Sequence, residues 1–371
     1  MGYVKKEGSS WMYVTELGKD PGTGKRKRKR KRGFKTKRDA EKALSVIEAQ
    51  IYEGTYLEPS KKLYKDYLLN DWFRMKRASI GEQTIGTYMT VVHKHIIPNL
   101  GHMPMSTIHP SHIQNFIHGL SEKDYKGRTV KKVHEVIRSS LEHAVSLDII
   151  PKNVAAKVKL PRIEDTEMEV WDDKSMTSFL KTAETDRYYM AFYIALTTGM
   201  RQGEILGLRW KDIDFEKKSL SIYQTLRHDG KGFLSGGKTK ASQRTIELSK
   251  ETVQTLKKHK KTMLKEKLQA GGEYEDLDLV ICTGNGKPVN PANIRRSFNR
   301  LMKKAVVPKI TFHGLRHTHA TFLLSRDVNP KVIAERLGHT DIRITMNTYS
   351  HVLPTMQKVA VTQIDSLLSS N

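Results

Sequence analysis

Two stretches near the end of this 371-residue chain decide its fold and its chemistry: HGLRHTHAT, His313–Thr321, and LGHTDIRITMNTYSH, Leu337–His351. They supply Arg316 between two histidines, a further histidine at His339, and a tyrosine at Tyr349. The planar fork of an arginine pairs with two oxygens of a phosphate and keeps its charge at any working pH. A tyrosine hydroxyl needs help from its neighbours to attack at neutral pH, because its unperturbed pKa is about 10. The set predicts attack by a side-chain nucleophile on a phosphodiester.

Two upstream stretches add the other groups that this chemistry needs. TTGMRQGEILGLRW, residues 197–210, places Arg201 in the first turns of a predicted helix, and GGKTKASQRTIEL, residues 236–248, places Lys238 beside a predicted turn. Cations must offset the charge that develops on phosphorus, and an acid must protonate the leaving oxygen. A single arginine is usually only a surface ion pair. The setting of Arg201 between apolar segments, and of Arg316 between histidines, favours a catalytic role for both.

Two other chemistries fit single motifs in this region. Residues 232–239 match the phosphate-loop pattern of nucleotide hydrolases, but a true phosphate loop enters a helix, whereas the residues after Lys238 alternate like a strand. We therefore expect Lys238 in a β-hairpin turn. His313 and His317 have a spacing found among zinc ligands, but Arg316 beside them would repel a cation. We expect no nucleotide site, no metal site and no cofactor.

Composition indicates a polyanionic partner. Lys and Arg number 65 against 40 Asp and Glu, which gives a formal net charge of +25 and favours nucleic acid or an anionic membrane surface. The chain has no apolar run near the roughly 18 to 20 residues that span a bilayer, and its first residues lack a signal-peptide core. Its single cysteine, Cys282, cannot form an intrachain disulfide. Together with the phosphodiester chemistry above, this composition favours DNA over a membrane, and we expect a soluble, cytoplasmic protein that binds DNA and no membrane.

Hydrophobic patterns predict a multidomain chain. Residues 1–58 show two strands, with room for a third, and then a helix that Thr36 caps, so they form a small ββ(β)α module. Residues 62–160 carry helical stripes throughout and predict an all-α bundle, whose second helix we expect Pro98 and Gly101 to end. Residues 161–171 are expected to form a linker. Residues 172–371 mix helical and strand patterns, which predicts an α+β catalytic domain with a carboxyl-terminal tail.

The first module contains the run KRKRKRKR, residues 25–32, on a predicted strand. We interpret it as a DNA contact, since β-ribbons can enter a major groove. The alternatives are a solvated hairpin and a patch that resembles a nuclear-localisation signal.

In their order and spacing, TTGMRQGEILGLRWKDID, GGKTKASQRTIEL, HGLRHTHATFLL and LGHTDIRITMNTYSH resemble the tyrosine recombinases, in particular the integrases of phages and integrative elements. The resemblance covers essentially the whole chain. It implies an amino-terminal module for arm-type DNA sites, a helical core-binding domain and a catalytic domain that closes with it around the duplex. The catalytic residues that it implies are Arg201, Lys238, His313, Arg316, His339 and Tyr349.

The resemblance also implies the reaction. Tyr349 attacks a scissile phosphate, giving a 3′-phosphotyrosine and a free 5′-hydroxyl, and this link keeps the bond energy so that neither ATP nor metal is required. Lys238 protonates the leaving 5′-oxygen, His313 assists proton transfer at Tyr349, and His339 positions the phosphate. Glu204 supports the helix that carries the first arginine.

Strand exchange by such an enzyme implies a homotetramer on two synapsed duplexes, with a directionality factor and a host DNA-bending protein as further expected partners. An apolar stripe in the tail is expected to dock on a neighbouring protomer, the alternative being a fold back onto its own domain; its members are Met356, Ala360, Ile364, Leu367 and Leu368. Two other classes of protein remain open, a type IB topoisomerase that relaxes DNA and a DNA-binding regulator without catalysis.

Overall fold

The computed structural model describes residues 2–19, 24–162, 169–235 and 243–348, together with Val361, Ile364, Asp365 and Leu368 of the tail. The chain packs into two compact units, Met1–Asp165 and Thr166–Asn371. The division between them falls inside the segment that the sequence predicts to be a linker.

The first unit opens with a three-stranded antiparallel sheet and one helix. Its elements are β1 (Tyr3–Glu7), β2 (Ser10–Lys19), β3 (Arg26–Phe34) and α1 (Lys37–Tyr52). The central strand, β2, buries Met12, Tyr13 and Val14, and α1 packs against it. Helix α1 begins as predicted, with the Thr36 hydroxyl accepting the backbone N–H of Asp39 at 3.1 Å.

The rest of the first unit is a helical bundle. Its helices are α2 (Tyr64–Tyr67), α3 (Phe73–Ser79), α4 (Glu82–Val91), α5 (Ile97–Leu100), α6 (Pro110–Glu122) and α7 (Gly127–Ser146). Two π-helical turns join some of these into longer continuous helices. Leu68–Trp72 connects α2 to α3, and Val92–Ile96 connects α4 to α5. The core of the bundle includes one of the helical stripes predicted within residues 62–160, which lies on α7 and consists of Val130, Val133, Val136, Ile137, Leu141 and Ala144.

The prediction that Pro98 ends the second helix of the bundle is wrong. The helix continues through Pro98 to Leu100, because the wider turn at Val92–Ile96 comes directly before and changes the hydrogen-bond register. The Asn99 side chain also donates to the carbonyl of His95 at 2.7 Å, so that this carbonyl has a partner. The helix gives way to a turn only at Gly101.

The second unit is built around a cluster of aromatic side chains. Its helices are α8 (Asp173–Ala183), α9 (Tyr189–Thr198), α10 (Gln202–Leu206), α11 (Lys250–Ala270), α12 (Pro291–Ala305), α13 (Phe312–Leu324), α14 (Pro330–Leu337) and α15 (Ile342–Thr348). Trp171 joins their core, since its ring nitrogen donates to Pro308 at 2.8 Å and its backbone N–H to Thr318 at 3.1 Å. The packed unit therefore includes the last residue of the segment 161–171.

Short antiparallel strands complete the second unit. They are β4 (Ile213–Asp214), β5 (Ser219–Ser221), β6 (Gln224–Leu226), β7 (Phe233–Ser235) and β8 (Thr245–Glu247). Strand β5 pairs with β8, and strand β6 pairs with β7. Residues 236–244 connect β7 to β8, and of these residues 236–242 lie outside the described part of the chain. A strand follows them, which is not the helix that a phosphate loop requires.

The order of these parts confirms the predicted fold class: a small strand and helix module, a helical bundle and an α+β unit. Within the described part of the chain, no helix has both the length and the apolar character needed to cross a membrane.

Candidate functional site

The structure describes four of the six predicted catalytic residues: Arg201, His313, Arg316 and His339. The predicted positions that lie outside the described residues are Lys238, Tyr349, Met356, Ala360 and Leu367.

Arg316 is a buried anchor of the site. It projects from α13 with 2% of its surface exposed, and it donates to the carbonyl of Gly199 at 2.8 Å and to that of Leu337 at 2.7 Å. Gly199 ends α9 in the left-handed conformation, with φ of 68°. A Cβ atom at this position would lie 2.6 Å from Leu337 and 2.7 Å from His319, so only glycine fits the turn that receives Arg316.

Arg201 approaches the same place from α10. It occupies the N-cap in an extended conformation, one residue before the helix in which the sequence places it. Its backbone N–H and its guanidinium each donate to Glu204 at 2.8 Å, and the guanidinium also reaches the carbonyl of Gly338 at 3.4 Å. Because Leu337 and Gly338 are adjacent, the guanidinium groups of Arg201 and Arg316 converge on one turn.

Glu204 is shared by two arginines. Arg244 donates to its carboxylate oxygens at 3.2 and 2.9 Å and to the backbone carbonyl of Arg336 at 2.7 Å. Burial raises the pKa of the Glu204 carboxyl, but Arg244 and then Arg201 outweigh that effect and hold the pKa below its usual value. The carboxylate is charged at neutral pH.

Arg244 is a residue that motif reasoning missed, although its sequence carries a signal. The alternating pattern of RTIEL puts Arg244 on the same face of the strand as Ile246 and Leu248, and both of these are buried. An arginine on a buried strand face needs an acidic partner. In the structure, Glu204 is that partner.

His313 and His317 lie one turn apart on α13, as predicted, with their rings edge to face at 4.8 Å. Partial burial, followed by the charges of Arg316 and Arg201, lowers the pKa of His313 below its usual value. Burial and the neighbouring His313 lower the pKa of His317 to about 4. Both imidazoles are neutral at neutral pH, and each can accept a proton from a neighbouring group or donate one to it. Among the described residues, no group of three His, Cys, Asp or Glu side chains could hold a metal ion.

His339 follows the converging turn directly. Gly338 ends α14 in the left-handed conformation, and the ring of His339 then lies 2.7 Å from the hydroxyl of Thr345 in α15. Burial, followed by the charges of Arg316, Arg201 and Arg244, lowers the pKa of His339 to about 4. The described backbone of α15 ends at Thr348, one residue before Tyr349.

His319 and Arg336 form a hydrogen-bonded pair that connects the elements around the turn of Leu337 and Gly338. His319 lies 2.8 Å from the carbonyl of Leu196, and its other ring nitrogen accepts from Arg336 at 3.2 Å. Since arginine can only donate, His319 must be neutral, and its other ring nitrogen must carry the hydrogen and donate to the carbonyl of Leu196. Arg336 also donates to the carbonyls of Thr197 and Glu247, at 3.0 and 3.1 Å, and so joins α9, α14 and β8.

The arrangement suits a phosphate group. Arg201, Glu204 and Arg244 together carry one net positive charge, and Arg316 adds a second beside them. The histidines next to them are neutral and can donate or accept a proton. Such a site can bind an anion, stabilise charge that develops on it, and move protons.

Comparison with known proteins identifies the family. The Phage integrase family model matches residues 169–356, an Arm DNA-binding domain model matches residues 3–51, and the model of the phage integrase N-terminal SAM-like domain matches residues 66–121. A tyrosine recombinase XerC-like protein of Caldanaerobacter subterraneus subsp. tengcongensis is 31% identical over 387 aligned positions, which cover 98% of each chain. The ICEBs1 integrase of Bacillus subtilis is 26% identical over 75% of this chain and 76% of its own.

Solved structures share the fold. The Tn1549 transposon integrase in complex with a circular intermediate DNA matches with a TM-score of 0.66 at 22% identity, over 80% of this chain and 99% of that one. A lambda integrase tetramer bound to a Holliday junction matches with a TM-score of 0.61 at 20% identity, over 94% of each chain. Because the family model spans half of the chain and a tyrosine recombinase matches nearly all of it, this protein belongs to the phage integrase family of tyrosine recombinases and is an enzyme of site-specific DNA recombination.

Proposed function

We propose that the enzyme integrates and excises a mobile element by cleaving and rejoining duplex DNA through a 3′-phosphotyrosine at Tyr349. One observation carries the proposal: Arg201 and Arg316 donate to the adjacent carbonyls of Gly338 and Leu337, so two guanidinium groups converge beside His339. Paired guanidinium groups are suited to the non-bridging oxygens of a scissile phosphate.

The proposed step conserves atoms and charge. The Tyr349 oxygen forms a bond to phosphorus, the bond from phosphorus to the 5′-oxygen breaks, and Lys238 gives its proton to that oxygen. His313 takes the phenolic proton, which a neutral imidazole can do. Arg201 and Arg316 offset the charge of the pentavalent transition state. Rejoining reverses each of these transfers.

The parts of the chain have separate roles in this proposal. Residues 1–58 bind arm-type DNA, residues 62–160 bind core-type DNA, residues 161–171 link them to the catalytic domain, and residues 172–371 form that domain and its tail. The exposed basic strand β3 supports the first assignment. A lambda integrase is known as a tetramer on a Holliday junction, which supports a tetramer of this enzyme on two synapsed duplexes.

Three described apolar residues of the tail support assembly in trans. Val361, Ile364 and Leu368 are 56%, 57% and 68% exposed, so these apolar side chains lack the burial that a tail folded onto its own domain provides. We place the reaction in the cytoplasm of the host cell, at the nucleoid. A directionality factor and a host DNA-bending protein complete the proposed set of partners.

The test begins with the DNA that flanks the gene. A short repeat at the two ends of the element defines the core sequence, and purified protein, with and without an extract of host cells that supplies the proposed partners, is then mixed with supercoiled DNA that carries both junctions. We expect recombinant products in EDTA and without ATP. Relaxation of a plasmid without any junction, and no recombinants, would favour the topoisomerase alternative. Sequence-specific binding with no cleaved strand would favour the regulator.

A further inference from the structure

Arg244 is an arginine of the site that a DNA phosphate has little room to reach. Its side chain is 7% exposed, whereas that of Arg201 is 40% exposed. Both side chains bind Glu204, whose own side chain is 4% exposed. The two arginines therefore have different tasks: Arg201 faces solvent, where a phosphate can bind, and Arg244 faces the protein.

The carboxylate of Glu204 has a fixed orientation because each oxygen has two donors. One oxygen accepts from the guanidinium groups of Arg201, at 2.8 Å, and of Arg244, at 3.2 Å. The other accepts from the backbone N–H of Arg201, at 2.8 Å, and from Arg244, at 2.9 Å. Arg244 thus determines where the carboxylate that holds Arg201 lies.

A third bond connects Arg244 to the other side of the site. Its Nε atom donates to the backbone carbonyl of Arg336 at 2.7 Å, and the residue after Arg336 supplies the carbonyl that receives Arg316. The side chain of Arg336 is held in turn by α9, α13 and β8. The guanidinium group of Arg244 therefore contacts both the carboxylate that holds Arg201 and the backbone next to the carbonyl that receives Arg316.

We propose that Arg244 is a positioning residue for recombination, which aims the Arg201 guanidinium at the scissile phosphate through the shared carboxylate of Glu204. This inference rests on the proposed function, in which Arg201 binds that phosphate. It needs arginine in particular, because a lysine at this position keeps the charge but has no planar fork for two carboxylate oxygens and a carbonyl.

The variant for the test is Arg244→Lys, and Glu204→Gln, which changes the carboxylate that also holds Arg201, shows the size of the defect expected when that carboxylate is altered directly. Arg209→Lys is a matched control, because Arg209 makes a bidentate pair at 2.8 and 2.9 Å with Asp212, a buried carboxylate of the same unit. Single-turnover cleavage of a junction duplex at saturating protein, DNA affinity and the thermal midpoint are measured for each. We expect Arg244→Lys to cleave about 10²-fold more slowly, as misplacement of a catalytic group does, with DNA affinity retained. The control should lose stability without losing rate.

Two modified substrates identify the group through which Arg244 acts. A methylphosphonate at the scissile position lacks the negative charge that Arg201 stabilises, whereas a 5′-bridging sulfur leaves without the proton that Lys238 provides. On the methylphosphonate, the defect of Arg244→Lys should shrink by about tenfold or more, as should that of Arg201→Ala. On the sulfur substrate it should remain.

The outcomes separate the two proposals. An unchanged defect of Arg244→Lys on the methylphosphonate, with Arg201→Ala rescued, would overturn the positioning role and leave the proposed function intact. If the cleavage defect of Arg244→Lys disappears only on the substrate with the bridging sulfur, Arg244 acts through Lys238. That result would also overturn the positioning role. If Arg201→Ala cleaves the natural duplex at the normal rate, the proposed function itself fails. Should Arg244→Lys not fold, Arg244→Gln, which also lacks the planar fork but keeps side-chain N–H donors, is put through the same comparison.

Discussion

In the proposed mechanism, the chemistry depends on single residues whose charges are fixed by their neighbours. Arg316 is held by two backbone carbonyls, and Arg201 by a carboxylate and a carbonyl, so neither guanidinium needs to reorganise when a phosphate arrives. Preorganised charge of this kind is usually the largest contribution to catalysis of phosphoryl transfer. Proton transfer is a separate task, which the proposed mechanism assigns to Lys238 and His313.

Replacing Lys238 by alanine should slow cleavage far more than it weakens DNA binding. A general acid typically contributes about 10²–10⁴-fold to the rate, and no other assigned residue protonates the 5′-oxygen. Single-turnover cleavage is compared on a natural duplex and on one with a 5′-bridging sulfur, a leaving group that needs no proton. The defect should nearly vanish with sulfur. If it is equally large on both substrates, Lys238 contributes charge or binding and not a proton.

His319 should make the stability of the catalytic unit depend on pH. Burial, followed by the charge of Arg336, lowers its pKa from the usual 6.5 to about 4 in the folded protein. The unfolded chain therefore takes up a proton as the pH falls below about 6.5, while the folded chain does not. The free energy of unfolding should fall as the pH drops from about 6.5 to 4, by at most about 1.4 kcal/mol per pH unit for this group. His317 and His339 act in the same direction.

The variant His319→Gln tests that contribution. Its amide can donate to Leu196 and accept from Arg336 without ever titrating. Denaturant unfolding of the full chain at pH 7 and at pH 4.5 should show a smaller difference for the variant than for the natural protein. Equal differences would mean that His319 does not stay neutral in the folded enzyme.

At the scale of elements, the basic strand β3 presents two different faces. Lys27 pairs with Glu58, and the ammonium of Lys29 lies 4.8 Å from the ring centre of Tyr56, so the lysine face turns towards residues 56–58. Side chains alternate along a strand, which puts the arginines on the other face. These are Arg26, Arg28, Arg30 and Arg32.

We expect the arginine face of β3 to bind arm-type DNA. Changing its four arginines to serine should weaken binding and reduce the slope of log affinity against log salt by about 0.9 for each phosphate that the protein no longer binds. Cleavage of isolated core sites should persist. The matched control changes Lys27, Lys29 and Lys31 to serine and should have a smaller effect. Unchanged affinity of the arginine variant would favour the solvated-hairpin interpretation of the basic run.

Elements with strong periodicity were predictable from sequence, and positions set by tertiary contacts were not. The stripe of α7 and the cap of α1 are local patterns, so the chain alone indicates them. The helix that continues past Pro98 depends on a π-helical turn, which leaves no comparable pattern. The site motifs were visible because their residue types are unusual together. The role of Arg244 depends on Glu204, forty positions away, and the spacing of local motifs does not indicate a contact between residues so far apart in sequence.

At the scale of the whole molecule, the tail should connect neighbouring protomers. We predict that deleting residues from 356 onward leaves a protein that binds core DNA as a monomer and does not recombine, because the apolar stripe that would dock on the adjacent subunit is then missing. Recombination on junction DNA and the mass of the complex are measured. Full recombination by the shortened protein would exclude docking in trans.

A mixture of two proteins separates docking in trans from docking in cis. The shortened protein keeps Tyr349, and a full-length Tyr349→Phe partner supplies the tail. Docking in trans predicts partial recovery of cleavage in the mixture on synaptic DNA. No recovery above the shortened protein alone would favour a tail folded onto its own domain.

The most direct test of the enzyme's mechanism is covalent trapping of the full-length protein on a nicked core duplex, from which the cleaved fragment diffuses away so that rejoining is prevented. We predict a covalent protein–DNA complex in EDTA, with mass spectrometry of the digested complex locating the nucleotide on the peptide that contains Tyr349. Tyr349→Phe should bind the same duplex and give no such complex, because it lacks only the attacking oxygen. A covalent complex formed by Tyr349→Phe, or a nucleotide linked to any other residue, would contradict the account.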